Sequence, residues 1–328
     1  MTTKTILITG GAGYIGSHAA KLYSKSGYKV IVLDNLSRGH KEFIQWGEFY
    51  LGDIGDKNIL EKIFSNHKID IVSHFAAFAL VEESVKEPEK YHLNNVIKAK
   101  TLAEHCAKNG VKVFQFSSTC ATYGEIKKIP ITEDFPQKPI NPYGETKLLF
   151  EKNLFTLKNQ YNMNYSILRY FNAAGASPEG EIGEDHTPES HLIPLVLDVA
   201  LGKRSHINVF GNNYETRDGT CIRDYIHVCD LASAHVLAAE KVYTSKTSSI
   251  YNLGNGEGHS VMEVIQTAQK VTGKKINFNI TGKRAGDPPT LIGSSEKLIR
   301  ELNWKAEFNS LEKIIETAWN WHKKRFLK

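Results

Sequence analysis

Near the start of the chain, Gly11-Ala12-Gly13-Tyr14-Ile15-Gly16 carries glycines at the spacing GxGxxG. That spacing alone is common, but its surroundings are informative. The run follows an apolar segment, opens a helical pattern, and has Asp34 at the end of the next apolar run, 18 residues after Gly16. In that context the glycines allow a tight turn and close backbone approach to a pyrophosphate, while the helix N-terminus offers free N–H groups and positive potential. Asp34 would accept hydrogen bonds from a ribose diol, and its charge would repel a 2′-phosphate, so NAD is favoured over NADP. Arg38, nearby, is the one feature that argues for the phosphate.

A second constellation is Tyr143 and Lys147, four residues apart behind Pro142. On a helix they share one face. A phenol is a poor base near neutrality, with an unperturbed pKa of about 10. A neighbouring ammonium and a positive nicotinamide ring both favour the phenolate and are expected to lower that value. Ser117-Ser118-Thr119 closes an apolar run upstream. In a doubly wound sheet the C-terminal ends of strands face the ligand crevice, so Thr119 and Tyr143 can converge on one substrate hydroxyl.

The elements that must hold these residues are legible in the first half. Apolar runs at 5–10, 29–34, 48–53, 69–75, 111–118 and 165–171 read as strands. Helical patterns at 15–26, 57–66, 88–109 and 142–160 lie between them, two opened by Pro88 and Pro142 and two closed by Gly27 and Gly110. Continuous Ile/Val/Leu runs suit strands buried on both faces, and their alternation with helices implies an α/β fold, a Rossmann-type doubly wound parallel sheet. After Phe171 the pattern breaks into a Gly-, Pro- and acid-rich crossover at 172–190, with further polar stretches at 211–220 and 281–290. Such loops inside a compact enzyme line sites or act as lids. A terminal helix over about 309–326 ends in a basic turn that complements the helix dipole.

Composition bounds the class. The chain has 328 residues, 41% hydrophobic and 23% charged, with a net charge of +5. That mild excess predicts no nucleic-acid partner. Four cysteines at 106, 120, 221 and 229 form no CxxC pair and lack histidines at metal-ligand spacing, so neither a disulfide framework nor a metal site is expected. The apolar run at Ile6–Ile8 is too short for a signal-peptide core, and no run approaches the roughly 18 apolar residues of a spanning helix. A cytoplasmic, soluble protein with no membrane partner is the expectation.

TGGAGYIGS, LDNLS, GDI, HFAA, NNV, FSSTCATYGE, NPYGETK, LRYFNAAGA, GTCIRDYIHV, YNLGNG and RAGDP together resemble the extended short-chain dehydrogenase/reductases, and within them the UDP-glucose (UDP-galactose) 4-epimerases. The resemblance runs from Ile6 to about Trp321 and includes motifs beyond the nucleotide fold. It implies tightly bound NAD used catalytically. Tyr143 removes the C4 hydroxyl proton while the C4 hydride leaves. The 4-keto sugar rotates with its UDP anchored, and the hydride returns to the other face. Remote nucleotide binding energy holds the intermediate. It implies a domain over residues 1–172 for NAD and a smaller α/β domain over 173–328 for the UDP-sugar, with some later segments returning to the first. Catalytic residues would be Thr119, Tyr143 and Lys147. The cofactor would meet Gly10, Gly11, Gly13, Tyr14, Ile15, Gly16, Asp34, Asn35, Asp53, Ile54, Phe75, Ala76, Ala77, Asn94, Tyr143, Lys147 and Phe171. The UDP-sugar would meet Thr119, Tyr143, Asn172, His191, Leu192, Phe210, Arg223, Arg284, Asp287 and Leu291. Arg223 and Arg284 suit two phosphates, and Asp287 a ribose hydroxyl. A homodimer built on the helices at about 88–109 and 143–160 is also implied.

The chain departs from that pattern at three places. Thr119 stands where Ser is frequent, which keeps the hydroxyl. Ala79 stands where a Lys often follows HFA, so one cationic contact is lost or supplied elsewhere. His191 stands where Asn is frequent, and a histidine brings pH sensitivity. A nucleotide-sugar 4,6-dehydratase would need a general acid directly after the Thr, where this chain has Cys120 and Ala121. A UDP-uronate or UDP-pentose 4-epimerase, a UDP-uronate decarboxylase and a non-catalytic NAD-sensing protein are the remaining alternatives. Leu291, four residues after Asp287, would border the space into which the sugar C2 substituent swings, and leaves room for an N-acetyl group.

Overall fold

The computed structural model describes residues 3–126, 128–284 and 287–327; Ala285 and Gly286 of the RAGDP motif lie outside the described residues. The chain first lays down six strands: β1 (Thr5–Thr9), β2 (Lys29–Asp34), β3 (Glu48–Leu51), β4 (Ile71–His74), β5 (Val113–Thr119) and β6 (Asn164–Tyr170). Smaller strands follow: β7 (Asn172–Ala174), β8 (Ile207–Phe210), β9 (Ile222–His227), β10 (Ser249–Leu253), β11 (Gly258–Ser260), β12 (Phe278–Thr281) and β13 (Thr290–Leu291). The main sheet is parallel throughout, in the order β10-β6-β5-β4-β1-β2-β3. Winding reverses between β1 and β4, and a doubly wound sheet takes its ligand at that switch point.

The continuous apolar runs have a simple cause. In β1 and β2, Leu7, Ile31 and Leu33 face one core, against the helices Lys57–Asn66, Ala99–Lys108 and Pro142–Tyr161. Ile6, Ile8, Val30 and Val32 face the other, against the helices Tyr14–Lys25 and Val228–Ser245. Successive side chains alternate across a strand, so a strand covered on both sides must be apolar at every position.

Three elements packed in the main layer come from the second half of the chain, one of them the helix Glu296–Leu302, which lies on β10 and on the helix Val228–Ser245. The helix Val228–Ser245 packs on the first helix, and β10 pairs with β6 as the outermost strand. Most of the other described residues after β6 build a smaller layer, in which β9 is flanked by β11, β13 and β7, and β8 pairs with β12. Its core joins the helices Leu192–Ala200, Val261–Thr272 and Leu311–Phe326. The helix read over 88–109 contains a π-helical stretch, Leu93–Lys98, and a short helix, Val81–Lys86, precedes it. The basic last turn of the terminal helix is not simply solvated: Arg325 pairs with Asp185 and Glu42, tying the chain end to the first layer. No helix among the described residues is long and apolar enough to cross a membrane.

Candidate active site

The glycine turn follows β1 at the switch point. Gly10 has φ +76°, and a Cβ there would meet the Ala76 nitrogen at 2.6 Å. A Cβ on Gly16 would meet the Gly10 carbonyl at 2.1 Å. These two glycines let the turn, the helix start and Phe75-Ala76-Ala77 close on one another. Gly13 caps the helix without a side-chain acceptor, and the only atom near an added Cβ is the Gly10 carbonyl at 3.3 Å. The first-turn N–H groups are therefore left to an outside anion, the arrangement a pyrophosphate needs. Tyr14 is locked by its hydroxyl, which donates to the Gly175 carbonyl at 2.6 Å, and Ile15 packs against the core under β6.

Asp34 is buried at the end of β2. Its two oxygens accept the N–H groups of Ala12 (2.9 Å) and Leu36 (2.8 Å), which orients the carboxylate beside the glycine turn. Burial pushes its carboxyl up, while the two N–H groups favour the charge. Arg38 points elsewhere: it donates to the Thr187 carbonyl and to Glu83, both at 2.7 Å. Arg38 and Lys90 both stand over the Phe78 ring, so cations do lie next to the segment where Ala79 lacks one. Asn35 donates to Asp53, which also takes Lys98 at 2.8 Å. Burial opposes the Asp53 charge, but Lys98 and the Gly55 N–H hold its carboxyl below the usual range. Ile54 is buried next to it. Asn94 donates to Asn95 at 3.0 Å on the π-helical stretch.

Thr119, Tyr143 and Lys147, the residues expected to react, come together at the C-terminal end of β5. Asn141 caps the helix Pro142–Tyr161 by accepting the Gly144 N–H at 2.8 Å, which places Tyr143 in its first turn and Lys147 one turn on. Lys147 is buried; its Nζ donates to the Ser117 carbonyl at 2.6 Å and lies 5.8 Å from the centre of the Tyr143 ring. The Thr119 hydroxyl accepts the Ala121 N–H at 3.1 Å, so its own proton is free to be donated. The expected lowering of the tyrosine pKa is not produced by the protein alone. Burial pushes the Tyr143 phenol up to about 12, against the pull of its hydrogen-bonding neighbour Thr119. Burial also lowers the Lys147 ammonium to about 7, with Glu151 opposing. Cys120 is buried with its thiol pushed up to about 12, a filler and not a nucleophile.

The residues expected on the substrate side fall into two groups. Arg223 is ion-paired with Asp287 and donates to the Ile222 carbonyl at 2.7 Å, which leaves further guanidinium donors. Arg284 stands over Phe210, its Cζ 3.8 Å from the ring centre. Leu291 is in register with Arg223 across β13–β9 and packs against the cluster of Cys120, Tyr123, Ile131 and Phe171. Asn172 donates to the Asp224 carbonyl at 2.8 Å. His191, half-exposed before Leu192, forms an ion pair with buried Glu184 at 2.5 Å. His186 lies 3.4 Å from the same carboxylate and 3.5 Å from Glu189. Burial disfavours both imidazolium charges, but the two carboxylates prevail and raise both histidines, His186 to about 10. The four ligand-type atoms lie within 4.8 Å of one another, as a self-neutralising ion-pair cluster.

Several residues went unnoticed in the sequence. Buried Asn95 accepts the Phe78 N–H and donates to the Phe78 carbonyl, both at 2.9 Å, and reaches Thr146 at 3.3 Å. Asp224 accepts backbone N–H groups from Asn255, Gly256 and Gly293. Glu151 and Arg169 form a buried ion pair at 2.7 Å behind Lys147. An arginine inside the apolar run of β6 was the available signal, since a buried charge requires a partner.

The sequence profile of the NAD dependent epimerase/dehydratase family matches residues 6–254. The chain belongs to that family. Within this epimerase/dehydratase family it is 54% identical to the UDP-glucose 4-epimerase of Halalkalibacterium halodurans over 97% of this chain and 95% of that one. The crystal structure of UDP-glucose 4-epimerase from Brucella ovis in complex with NAD superposes with TM-score 0.95 at 44% identity, covering 97% of this chain and 98% of that one. The UDP-Glc/GlcNAc 4-epimerase of Campylobacter jejuni gives TM-score 0.85 at 41% identity, covering 98% and 99%.

Proposed function

We propose that the chain is an NAD-dependent isomerase that interconverts UDP-glucose and UDP-galactose by inversion at the sugar C4. The observation that carries this is the convergence of Thr119, Tyr143 and Lys147 on the end of β5, beside the glycine turn at the switch point. Bound NAD supplies the hydride acceptor at C4 and, once reduced, the donor that restores the alcohol. The protein moves the proton. Thr119 donates a hydrogen bond to the Tyr143–substrate oxygen pair and keeps its proton, and Tyr143 as phenolate takes the C4 hydroxyl proton and later returns it. Lys147, as ammonium, favours that phenolate. Arg223 and Arg284 hold the diphosphate, so the sugar can turn while its anchor stays fixed.

The dehydratase alternative is weakened by Cys120. A buried thiol held near 12 is a poor acid for eliminating water. The decisive experiment is to give purified protein UDP-galactose with no added NAD. Formation of UDP-glucose at a steady rate supports the reading; no turnover by protein that carries NAD refutes it.

Substrate breadth turns on Leu291. It is a medium-sized, flexible side chain at the Phe171–Cys120 cluster, and a relative acting on both UDP-Glc and UDP-GlcNAc has the same fold. We extend the proposal to UDP-N-acetylglucosamine. An acetamido group needs a partner as well as room, since an unpaired buried amide costs about 1–3 kcal/mol. Leu291→Tyr should abolish N-acetyl activity and spare the plain hexoses; equal loss on both, or no N-acetyl turnover by the parent, overturns the gate. We also propose a homodimer. Leu93, Ile97 and Leu149 are exposed apolar residues on adjoining helices, lining one groove with Pro88, His92 and Pro142. Four unpaired cysteines are compatible with a reducing cytoplasm.

A further inference from the structure

The helix that presents Tyr143 and Lys147 grips β5 twice in succession. Lys147 Nζ holds the Ser117 carbonyl at 2.6 Å, and one turn on Glu151 Oε1 accepts the Ser118 hydroxyl at 2.5 Å. Ser118 pairs with Arg169 across the β5–β6 register. Arg169 closes on both carboxylate oxygens of Glu151, Nε at 3.0 Å and Nη2 at 2.7 Å, and Gln137 adds a donor at 3.1 Å. Glu151 is wholly buried and Arg169 is 3% exposed. Neither touches the proposed reacting atoms, yet the clamp ends immediately before Thr119.

We propose that Glu151 is a positioning residue: its buried carboxylate sets the charge state of Lys147 and, through Ser118 and Arg169, fixes the Tyr143–Lys147 helix on the strand that carries Thr119. This deepens, and rests on, the epimerase reading. Lys147 lies among groups that do not help its charge. Burial drags the ammonium down to about 7, and Glu151 is the group that opposes it. From β4, His74 is buried and neutral, its imidazole pushed down to about 3 by burial and then by Lys147 itself. From β6 come the Arg169 cation and the Tyr170 phenol, whose pKa burial raises. Beyond β5, Cys120 is held as a thiol. Glu151 is therefore the one buried anion among these neighbours.

The test uses full-length protein labelled with [13Cε]lysine. Parent protein should show one lysine resonance titrating near neutrality, missing in Lys147→Met. Glu151→Gln keeps the shape and one acceptor oxygen but removes the charge, and should move that midpoint down by roughly one pH unit or more. Ser118→Ala removes a clamp bond but no charge and should leave the midpoint in place. Because Glu151→Gln strands Arg169 and can impair folding, Glu151→Gln/Arg169→Met is the second variant, with a midpoint between the single variant and the parent. In the same proteins, kcat on UDP-galactose at pH 8 should fall at least tenfold in Glu151→Gln while KM stays within a few-fold. An unmoved midpoint in both Glu151 variants overturns the proposal, whatever their stability. Absent turnover by the parent would instead refute the epimerase reading, and the lysine titration would still decide the electrostatic role.

Discussion

Under the proposed reading, single side chains divide into those that move protons and those that keep them in place. Tyr143→Phe should lose about 10²–10⁴-fold in kcat, the usual worth of a general base, while nucleotide stays bound, because the glycine turn and Asp34 are untouched. Retained activity within a few-fold of the parent would remove Tyr143 from its role. Thr119→Ser should be nearly silent. Thr119→Val should be severe, since it deletes both the free proton and the acceptor for the Ala121 N–H. Lys147→Ala should match Tyr143→Phe in severity and raise the apparent pKa of the rising limb, because the phenol, already pushed up to about 12 by burial, loses its cation. Denaturing the protein and identifying the released nucleotide should give NAD(H). Arg38, the feature that argued for NADP, is occupied by Glu83 and the Thr187 carbonyl.

At the scale of elements, two polar contacts hold segments in place, and each makes a distinct prediction. The π-helical stretch turns Asn95 inward, where it meets the Phe78 backbone on both sides. Asn95→Leu leaves a buried N–H and C=O without partners, so unfolding free energy from urea titration should fall by about 1–3 kcal/mol. The crossover after β7 is held by the Glu184 cluster. His186 is raised from 6.5 to about 10, so its stabilisation is complete below pH 6.5 and is lost as pH rises through 10. Glu184 is held down to about 2 by its histidines despite burial, so its contribution is complete above its ordinary 4.5 and is lost as pH falls through 2. The melting temperature should therefore decline from about pH 6.5 to pH 10, and Glu184→Gln should flatten that decline. Identical slopes in the two proteins would dismiss the cluster as a stabilising element.

Across the whole molecule, the sheet that carries the glycine turn is completed from the second half of the sequence. Leu168 and Tyr170 of β6 are covered by Leu231, Ala234 and Ala238 of the helix Val228–Ser245 and by Tyr251 and Leu253 of β10. A fragment of residues 1–172 would expose that face and the core beside Ile6 and Ile8. It should show no cooperative thermal transition by circular dichroism, whereas the full chain should. A folded fragment with a sharp melt would establish residues 1–172 as an autonomous unit. The smaller layer is tied in similarly, by Arg325 reaching Glu42 and Asp185 and by Tyr14 reaching Gly175.

The sequence by itself determined the parallel α/β layer, because strands buried on both faces cannot avoid continuous apolar runs and their helices carry local caps such as Asn141-Pro142. It determined the glycine turn, Asp34, and the Thr119, Tyr143 and Lys147 set, because each is a short-range spacing on one element. The tertiary structure decided what depends on distance across elements. It turned Arg38 toward Glu83, joined Glu151 to Arg169 and Ser118, and paired Arg223 with Asp287. It brought β10 back to β6, across a gap in sequence that no local pattern spans. It also set the charges: the spacing of Tyr143 and Lys147 suggested a lowered phenol, but burial acts on both groups, and how much water a folded chain excludes cannot be read from neighbours along a strand or helix.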